Sequence, residues 1–171
     1  MDFLQLAKER YSVRKFSDKK LEKEKLDLIL EAGRIAPTAA NYQPQRILVI
    51  ESEENLNKVK SCTSSHFNAP LILLICYDSN TCWTRKDGKT MGEVDASIVT
   101  TQMMLQAAEL GLGSTWVGAF SAEAIIEQFK IPENLVPVAL LPIGYPAEDS
   151  VPSTNHNKRY DMSKTVFYES Y

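Results

Sequence analysis

Two arginines and a serine fall within five residues of the stretch Arg10-Tyr11-Ser12-Val13-Arg14-Lys15-Phe16. A guanidinium makes paired, charge-assisted hydrogen bonds to phosphate oxygens and a serine hydroxyl donates a third, so these residue types suit a small anion. The stretch lies where a short amphipathic helix should give way to extended chain, which lets the three side chains converge. Taken alone, R-x-S-x-R is also what a solvated basic turn looks like. The remaining chemistry-bearing residues decide between the two.

Three further segments carry suitable groups. Ala36-Pro37-Thr38-Ala39-Ala40-Asn41-Tyr42-Gln43-Pro44 is a loop stiffened by two prolines, and its small residues let backbone approach a flat ring closely. Asn41 and Gln43 offer carboxamides that both donate and accept; in isolation they are ordinary turn residues. Gly111-Leu112-Gly113-Ser114-Thr115-Trp116-Val117-Gly118-Ala119-Phe120 combines a helix-ending G-x-G with a tryptophan and a glycine, and Lys158-Arg159 adds positive charge near the C-terminus. A Rossmann glycine motif follows a strand and opens a helix, whereas this G-x-G closes one. No Ser-His-Asp set, H-E-x-x-H or P-loop occurs.

Composition narrows the class of partner. The chain has 171 residues, 44% hydrophobic and 24% charged, with a net charge of -3. That is an ordinary globular composition, and one domain of this size buries roughly 70% of its unfolded surface. The acidic balance gives no electrostatic reason to bind nucleic acid or an anionic membrane, so a small molecule is the expected partner. Cys62, Cys76 and Cys82 are an odd set without C-x-x-C spacing, and with only His66 and His156 no zinc or disulfide framework is indicated. The longest apolar run, Leu71 to Cys76, is too short to span a bilayer, and no export signal is evident, so a cytoplasmic location is expected.

The elements that must position these groups read as follows. Asp2 caps a first helix ending near Arg10, and a second helix runs over Leu21–Arg34 until Pro37. A strand is predicted over Arg46–Glu51, a helix from the Ser52 cap to Ser61, and a sheet-central strand over Pro70–Tyr77. Asp78–Gly92 is polar and reads as a variable loop bordering a substrate. The longest helix, Glu93–Leu110, is apolar on two sides and should be buried twice, in its own core and against a partner chain. Asp95 at its start suits the helix dipole. Thr115–Gly118 reads as a short strand, Ser121 caps a helix to Lys130, Val136–Gly144 is a strand, and Pro146–Asn157 is an arm leaving the body. Thr165–Tyr171 alternates weakly and is predicted as a strand. The pattern describes one domain over 1–171, an α+β sandwich with helices around one sheet.

Taken in order, the four chemistry-bearing segments resemble the flavin contacts of the nitroreductase family of FMN-dependent oxidoreductases, and the resemblance spans nearly the whole chain. It implies a central mixed, mainly antiparallel sheet flanked by helices, and an intertwined homodimer with the C-terminal arm exchanged and FMN in the dimer cleft. It further implies that Arg10, Ser12 and Arg159, with Lys158, hold the phosphate, and that Tyr11 packs beside them. Arg14 falls where the family places a cation beside the flavin ring; a third phosphate ligand or a surface charge are the other readings of it. Pro37, Thr38, Ala39, Asn41 and Gln43 match the loop that reaches the flavin of the other subunit. Trp116, Val117, Gly118 and Ala119 match the segment under the ring, with a backbone N–H of Gly118 or Ala119 aimed at it. The chain departs from the family at Ala39 and Ala40, where a serine is common, and at Gln45, where an aromatic residue is common.

The activity so implied is hydride transfer from NADH or NADPH through FMN to a nitroaromatic, quinone or similar small-molecule acceptor, by a ping-pong mechanism. Same-fold enzymes that fragment reduced flavin or dehalogenate a substrate are the enzymatic alternatives, and a flavin-binding dimer without turnover is the non-enzymatic one. Flavin chemistry needs no acid-base side chains from the protein, which fits their absence here.

Overall fold

The run Leu71–Cys76 alternates between two cores, which is why it can be apolar at every position. In the computed structural model, which describes residues 2–171, it forms most of strand β2 (Leu71–Asp78). The other strands are β1 (Gln45–Ile50), β3 (Gly113–Ser114) and β4 (Leu135–Gly144), and the helices are α1 (Phe3–Glu9), α2 (Lys23–Arg34), α3 (Glu53–Cys62), α4 (Gly92–Glu109) and α5 (Ala122–Phe129). The sheet order is β1-β2-β4-β3 and every ladder is antiparallel, with Val49 opposite Leu73 and Leu73 opposite Leu141.

Because successive strand side chains point to opposite faces, Leu71, Leu73 and Ile75 meet Ile29 of α2 and Val99 and Met103 of α4. Ile72, Leu74 and Cys76 meet Val59 and Cys62 of α3 and Ile125 of α5 on the other face. The sheet is thus sandwiched by α2 and α4 on one side and by α3 and α5 on the other. Burial of Cys76 pushes its thiol up to about 11, as expected of a small core residue without redox chemistry. Asp2, Ser52 and Ser121 cap α1, α3 and α5 by accepting the N–H of Gln5, Asn55 and Ala124; such caps contribute about 1 kcal/mol each.

The N-terminal basic segment is bound to the sheet edge. Val13 N–H donates to Ser114 O at 3.1 Å, the Thr115 hydroxyl donates to Val13 O, and Ser12 forms a parallel bridge with Ser114, the sole parallel pairing among the described residues. Val13 is only 2% exposed. In extended chain its neighbours Ser12 and Arg14 must then face the other way, toward solvent. Gly113 makes this possible, because a Cβ there would lie 2.5 Å from Val13 Cγ2.

Several predicted bounds move for local reasons. The second helix starts at Lys23 because Glu22 is its N-cap. In place of a strand over Thr115–Gly118, β3 occupies Gly113–Ser114 and only Val117 bridges onward, to Leu140. Asp78–Gly92 folds back as a small hairpin, with Thr84 opposite Thr90 and Gly88 at φ 87°. Thr165–Tyr171 is not a strand: it follows a 3-10 turn at Met162–Lys164 and forms turns and bends, because among the described residues no strand lies beside it to complete a ladder.

Among the described residues, the arm beyond Gly144 is tied to the body along its first half, as far as His156. Ala147 N–H donates to Lys15 O at 3.0 Å, Tyr11 Oη donates to Ser150, and a ring nitrogen of His156 lies 3.1 Å from Lys8 O. Tyr145 anchors the turn before it: its hydroxyl donates to Glu22 Oε2 at 2.7 Å and Lys25 Nζ reaches it at 2.8 Å. The hydrogen bond from Tyr145, then the backbone N–H of Glu22 and the Lys19 ammonium, hold the Glu22 carboxyl down to about 2.

These contacts set the response to substitution and to acid. Gly113→Ala should lower unfolding free energy by about 1–3 kcal/mol, the usual range for overpacking a filled site, measured by chemical denaturation. A depressed folded-state pKa stabilises above the unfolded value, so Glu22 should contribute stability at neutral pH that fades as pH falls from about 4.5 toward 2. The acid limb of a melting-temperature profile should therefore be flatter in Glu22→Gln than in the wild type.

Candidate functional site

Where α1 ends, Arg10 is its C-cap and the chain turns onto the sheet edge. Arg10, Tyr11, Ser12 and Arg14 then form one wall of a cleft of about 250 Å³, and the arm supplies the other with Ser153, Asn155, His156 and Arg159. Segments from opposite ends of the chain are brought together by the contacts of Lys15 and Tyr11 with the arm. Tyr11 packs edge-on against His156, ring centroids 6.2 Å apart, so it shapes the cleft and holds the arm.

The electrostatics of the cleft are one-sided. Among the described residues, Arg10, Arg14 and Arg159 form no ion pair, whereas seven other basic residues do. Arg14 donates to Ser12 O, and Arg159 donates to the carbonyls of His156 and Lys158, so their neighbours are neutral oxygens rather than carboxylates. Burial and, second, the nearby charge of Arg159 push the Arg10 guanidinium below its ordinary value. A partly buried cation destabilised by another cation is relieved by a bound anion. The donor set of guanidiniums and hydroxyls fits a phosphate monoester.

The other sequence-predicted residues occupy separate places. Lys158 is exposed and does not line the cleft; Arg159 does. Trp116, Val117, Gly118 and Ala119 run along the free edge of β4, beside β3, where Val117 exchanges two 2.9 Å hydrogen bonds with Leu140. Val117 is buried, and Trp116, Gly118 and Ala119 face outward on an exposed shelf. Trp116 lies over Gly118, where a Cβ would come within 3.0 Å of its ring. Neither N–H of Gly118 and Ala119 is engaged within the chain among the described residues, so both remain free to donate. Since Ser12 and Val13 bind Ser114, this shelf and the cleft share one edge of the sheet.

Pro37, Thr38, Ala39, Asn41 and Gln43 lie between α2 and β1 and contribute nothing to the cleft lining. Asn41 and Gln43 are exposed, and the loop carries three non-glycine residues at positive φ, Ala40 (48°), Asn41 (58°) and Gln43 (51°). Asp95, expected to serve the dipole of α4, is instead buried and accepts the Ala39 N–H at 2.8 Å.

Sequence reasoning misses Ser153, Asn155 and His156. A histidine and two small polar residues in a proline- and serine-rich arm carry no spacing signal; contacts from Lys8, Tyr11 and Lys15 place them opposite Arg10.

A model of the nitroreductase family matches residues 7–66 and 57–145. The chain belongs to that family. A nitroreductase family protein from Clostridium difficile 630 is 46% identical with a TM-score of 0.94, each chain covered in full. An FMN-dependent nitroreductase from Clostridium difficile R20291 is 30% identical over 99% of this chain and 100% of its own, TM-score 0.81. A protein of Methanothermobacter thermautotrophicus, provisionally named NADH dehydrogenase/NAD(P)H nitroreductase, is 32% identical over 87% of this chain and 80% of its own length.

The cleft of this nitroreductase-family chain should bind simple phosphate esters weakly even without a ring to hold. Arg10→Ala combined with Arg159→Ala should remove that binding, each charge-assisted contact being worth about 1.5–3 kcal/mol. Equilibrium titration of the apoprotein with FMN, and competition by inorganic phosphate, measures it; undiminished FMN affinity in the double variant would dismiss the phosphate assignment.

Proposed function

We propose that this chain is an FMN-dependent oxidoreductase that takes hydride from NADH or NADPH and reduces a nitroaromatic, quinone or similar acceptor. The observation that carries the reading is the set of three guanidiniums in one cleft of an acidic protein, without an ion pair among the described residues, on the same sheet edge as a shelf with two backbone N–H groups that those residues leave free. The chemistry FMN supplies when bound is acceptance of a hydride and its return, as two electrons, to an acceptor. The chain's own residues do the rest. Arg10, Ser12 and Arg159 hold the phosphate, and Arg14 supplies fixed positive charge beside the ring, where negative charge accumulates on reduction. Gly118 or Ala119 orients the ring by a backbone hydrogen bond, and Asn41 and Gln43 read its polar edge.

The working unit in this proposal is a homodimer. Along α1, α2 and α4 runs an open apolar groove of about 1000 Å³, lined by Phe3, Leu28, Ile35, Val94, Ile98 and Leu105. Val94 and Ile98 are 40% and 38% exposed although the opposite side of α4 is buried at Ala96, Val99 and Met103. Large exposed apolar patches of this kind mark partner surfaces. The arm adds Tyr160, Phe167, Tyr168 and Tyr171, aromatic residues exposed to solvent. A second copy covers both and brings its loop 37–43 to the first copy's cleft.

One open ring face admits a nicotinamide or an acceptor in turn, so double-reciprocal plots against NAD(P)H at several acceptor concentrations should be parallel. Intersecting lines would mean that both are held together. Arg14→Gln should retain FMN and slow stopped-flow flavin reduction by NAD(P)H more than reoxidation by a quinone; an unchanged reduction rate returns Arg14 to phosphate binding or structure. Val94→Glu with Ile98→Glu should yield a monomer in sedimentation that has also lost FMN.

A further inference from the structure

Left-handed backbone is disfavoured for any residue with a Cβ, and three such residues within four positions persist only when their surroundings impose them. That is the state of Ala40, Asn41 and Gln43. Inside the loop, Gln43 N–H donates to Thr38 Oγ1 at 3.1 Å and Gln43 Nε2 to Asn41 O at 3.2 Å. Three contacts come from outside, one of them the Asp78 N–H on Pro44 O at 2.8 Å, at the junction with β1. At the exit, Arg46 reaches Gln43 O at 3.2 Å, but it is an exposed side chain divided among Gln43, Gln45 and Asp78. At the entry, Asp95 Oδ1 accepts the Ala39 N–H at 2.8 Å.

Asp95 is unlike an ordinary dipole-complementing residue. It is 1% exposed and belongs to the first turn of α4, and Ala96 and Val99, which follow it in the helix, are fully buried in the core. A carboxylate serving the dipole works in solvent or bonded to the helix's own amides; Asp95 Oδ1 is turned onto another segment, and Oδ2 is buried with no partner among the described residues. An unpaired buried carboxylate oxygen is a standing destabilisation. The bond that Oδ1 accepts from the Ala39 N–H is what its side chain sets against that cost.

We infer that Asp95 is a positioning residue: α4 holds its carboxylate rigidly against the Ala39 N–H, and this contact fixes the strained loop in the conformation that presents Asn41 and Gln43 to the flavin edge. The inference rests on the flavin reading of that loop. Asp95 acts through Ala39 and touches neither cofactor nor substrate.

Three variants of the full chain test it: Asp95→Ala, Asp95→Asn, and Asp95→Ala combined with Ala40→Gly. Amide hydrogen exchange on the apoprotein needs no cofactor. In Asp95→Ala, residues 39–43 should exchange about tenfold faster while the amides of α4 and the sheet keep their protection. In a fluorescence titration the FMN Kd should weaken about tenfold, because a loop no longer held must be ordered when the flavin binds. Asp95→Asn retains an acceptor oxygen and should stay within about threefold of the wild type. Glycine adopts positive φ without a Cβ penalty, so Ala40→Gly should recover part of the Asp95→Ala loss. Wild-type exchange at 39–43 with an unchanged Kd in Asp95→Ala would overturn the inference. So would an Asp95→Asn variant that loses protection across α4 as well, which would mark Asp95 as a residue of the fold alone. If the wild type takes up no FMN, the functional reading fails, while the exchange of residues 39–43 still decides whether Asp95 holds the loop.

Discussion

Burial of Val13 against Gly113 is the contact on which the cleft depends. One apolar side chain, seated where a glycine leaves room, fixes the register of the basic segment on β3 and so sends Ser12 and Arg14 outward together. Lys15 and Tyr11, carried by the same segment, then take hold of the arm and bring Arg159 across. The convergence of three guanidiniums is therefore a consequence of packing more than of attraction between the groups themselves. Like charges would disperse if the segment were free; burial first, and the charge of Arg159 second, hold the Arg10 guanidinium below its ordinary value.

The fold is legible in the residues where periodicity and capping agree. β2 reads as central because a run apolar at every position needs a core on both faces, and the two cores flanking it are what the sheet provides. The caps at Asp2, Ser52 and Ser121 are equally plain, as side chains that satisfy orphan helix N–H groups do so within four residues. Thr165–Tyr171 misleads because weak alternation records only that a strand would be tolerated; a ladder also needs a neighbour, and the described residues offer none there. The strand expected at Thr115–Gly118 lies earlier because Gly113 and Ser114 are the residues that pair with Gly144 and Ile143 of β4, a long-range pairing invisible in local sequence.

The candidate site divides in the same way. Arg10, Ser12, Arg14 and Arg159 carry suitable chemistry in their residue types, but a basic turn has the same types, and it is the resemblance of four segments in order that singles them out. Ser153, Asn155 and His156 stay hidden, since nothing in their spacing announces that they face Arg10. Asp95 suggests a dipole role by its position in the first turn of a helix. Only the burial of its carboxylate and the direction of Oδ1 reveal the bond to Ala39.

A single chain leaves three things open at once: guanidiniums with no ion pair among the described residues, a strained loop exposing carboxamides, and apolar surface in a groove and on the exposed aromatic residues of the arm. Each is destabilising by itself. A stable isolated domain of this size would have little reason to keep all three, since a few kcal/mol is a large share of net stability. They become consistent if one assembly event answers them together, with a phosphate-bearing ring between two copies neutralising the guanidiniums and lying against the loop while the groove and arm are covered. Cofactor binding and association would then be thermodynamically linked, each strengthening the other by the same factor. In the proposed reading, flavin occupancy and dimer strength should rise and fall as one property.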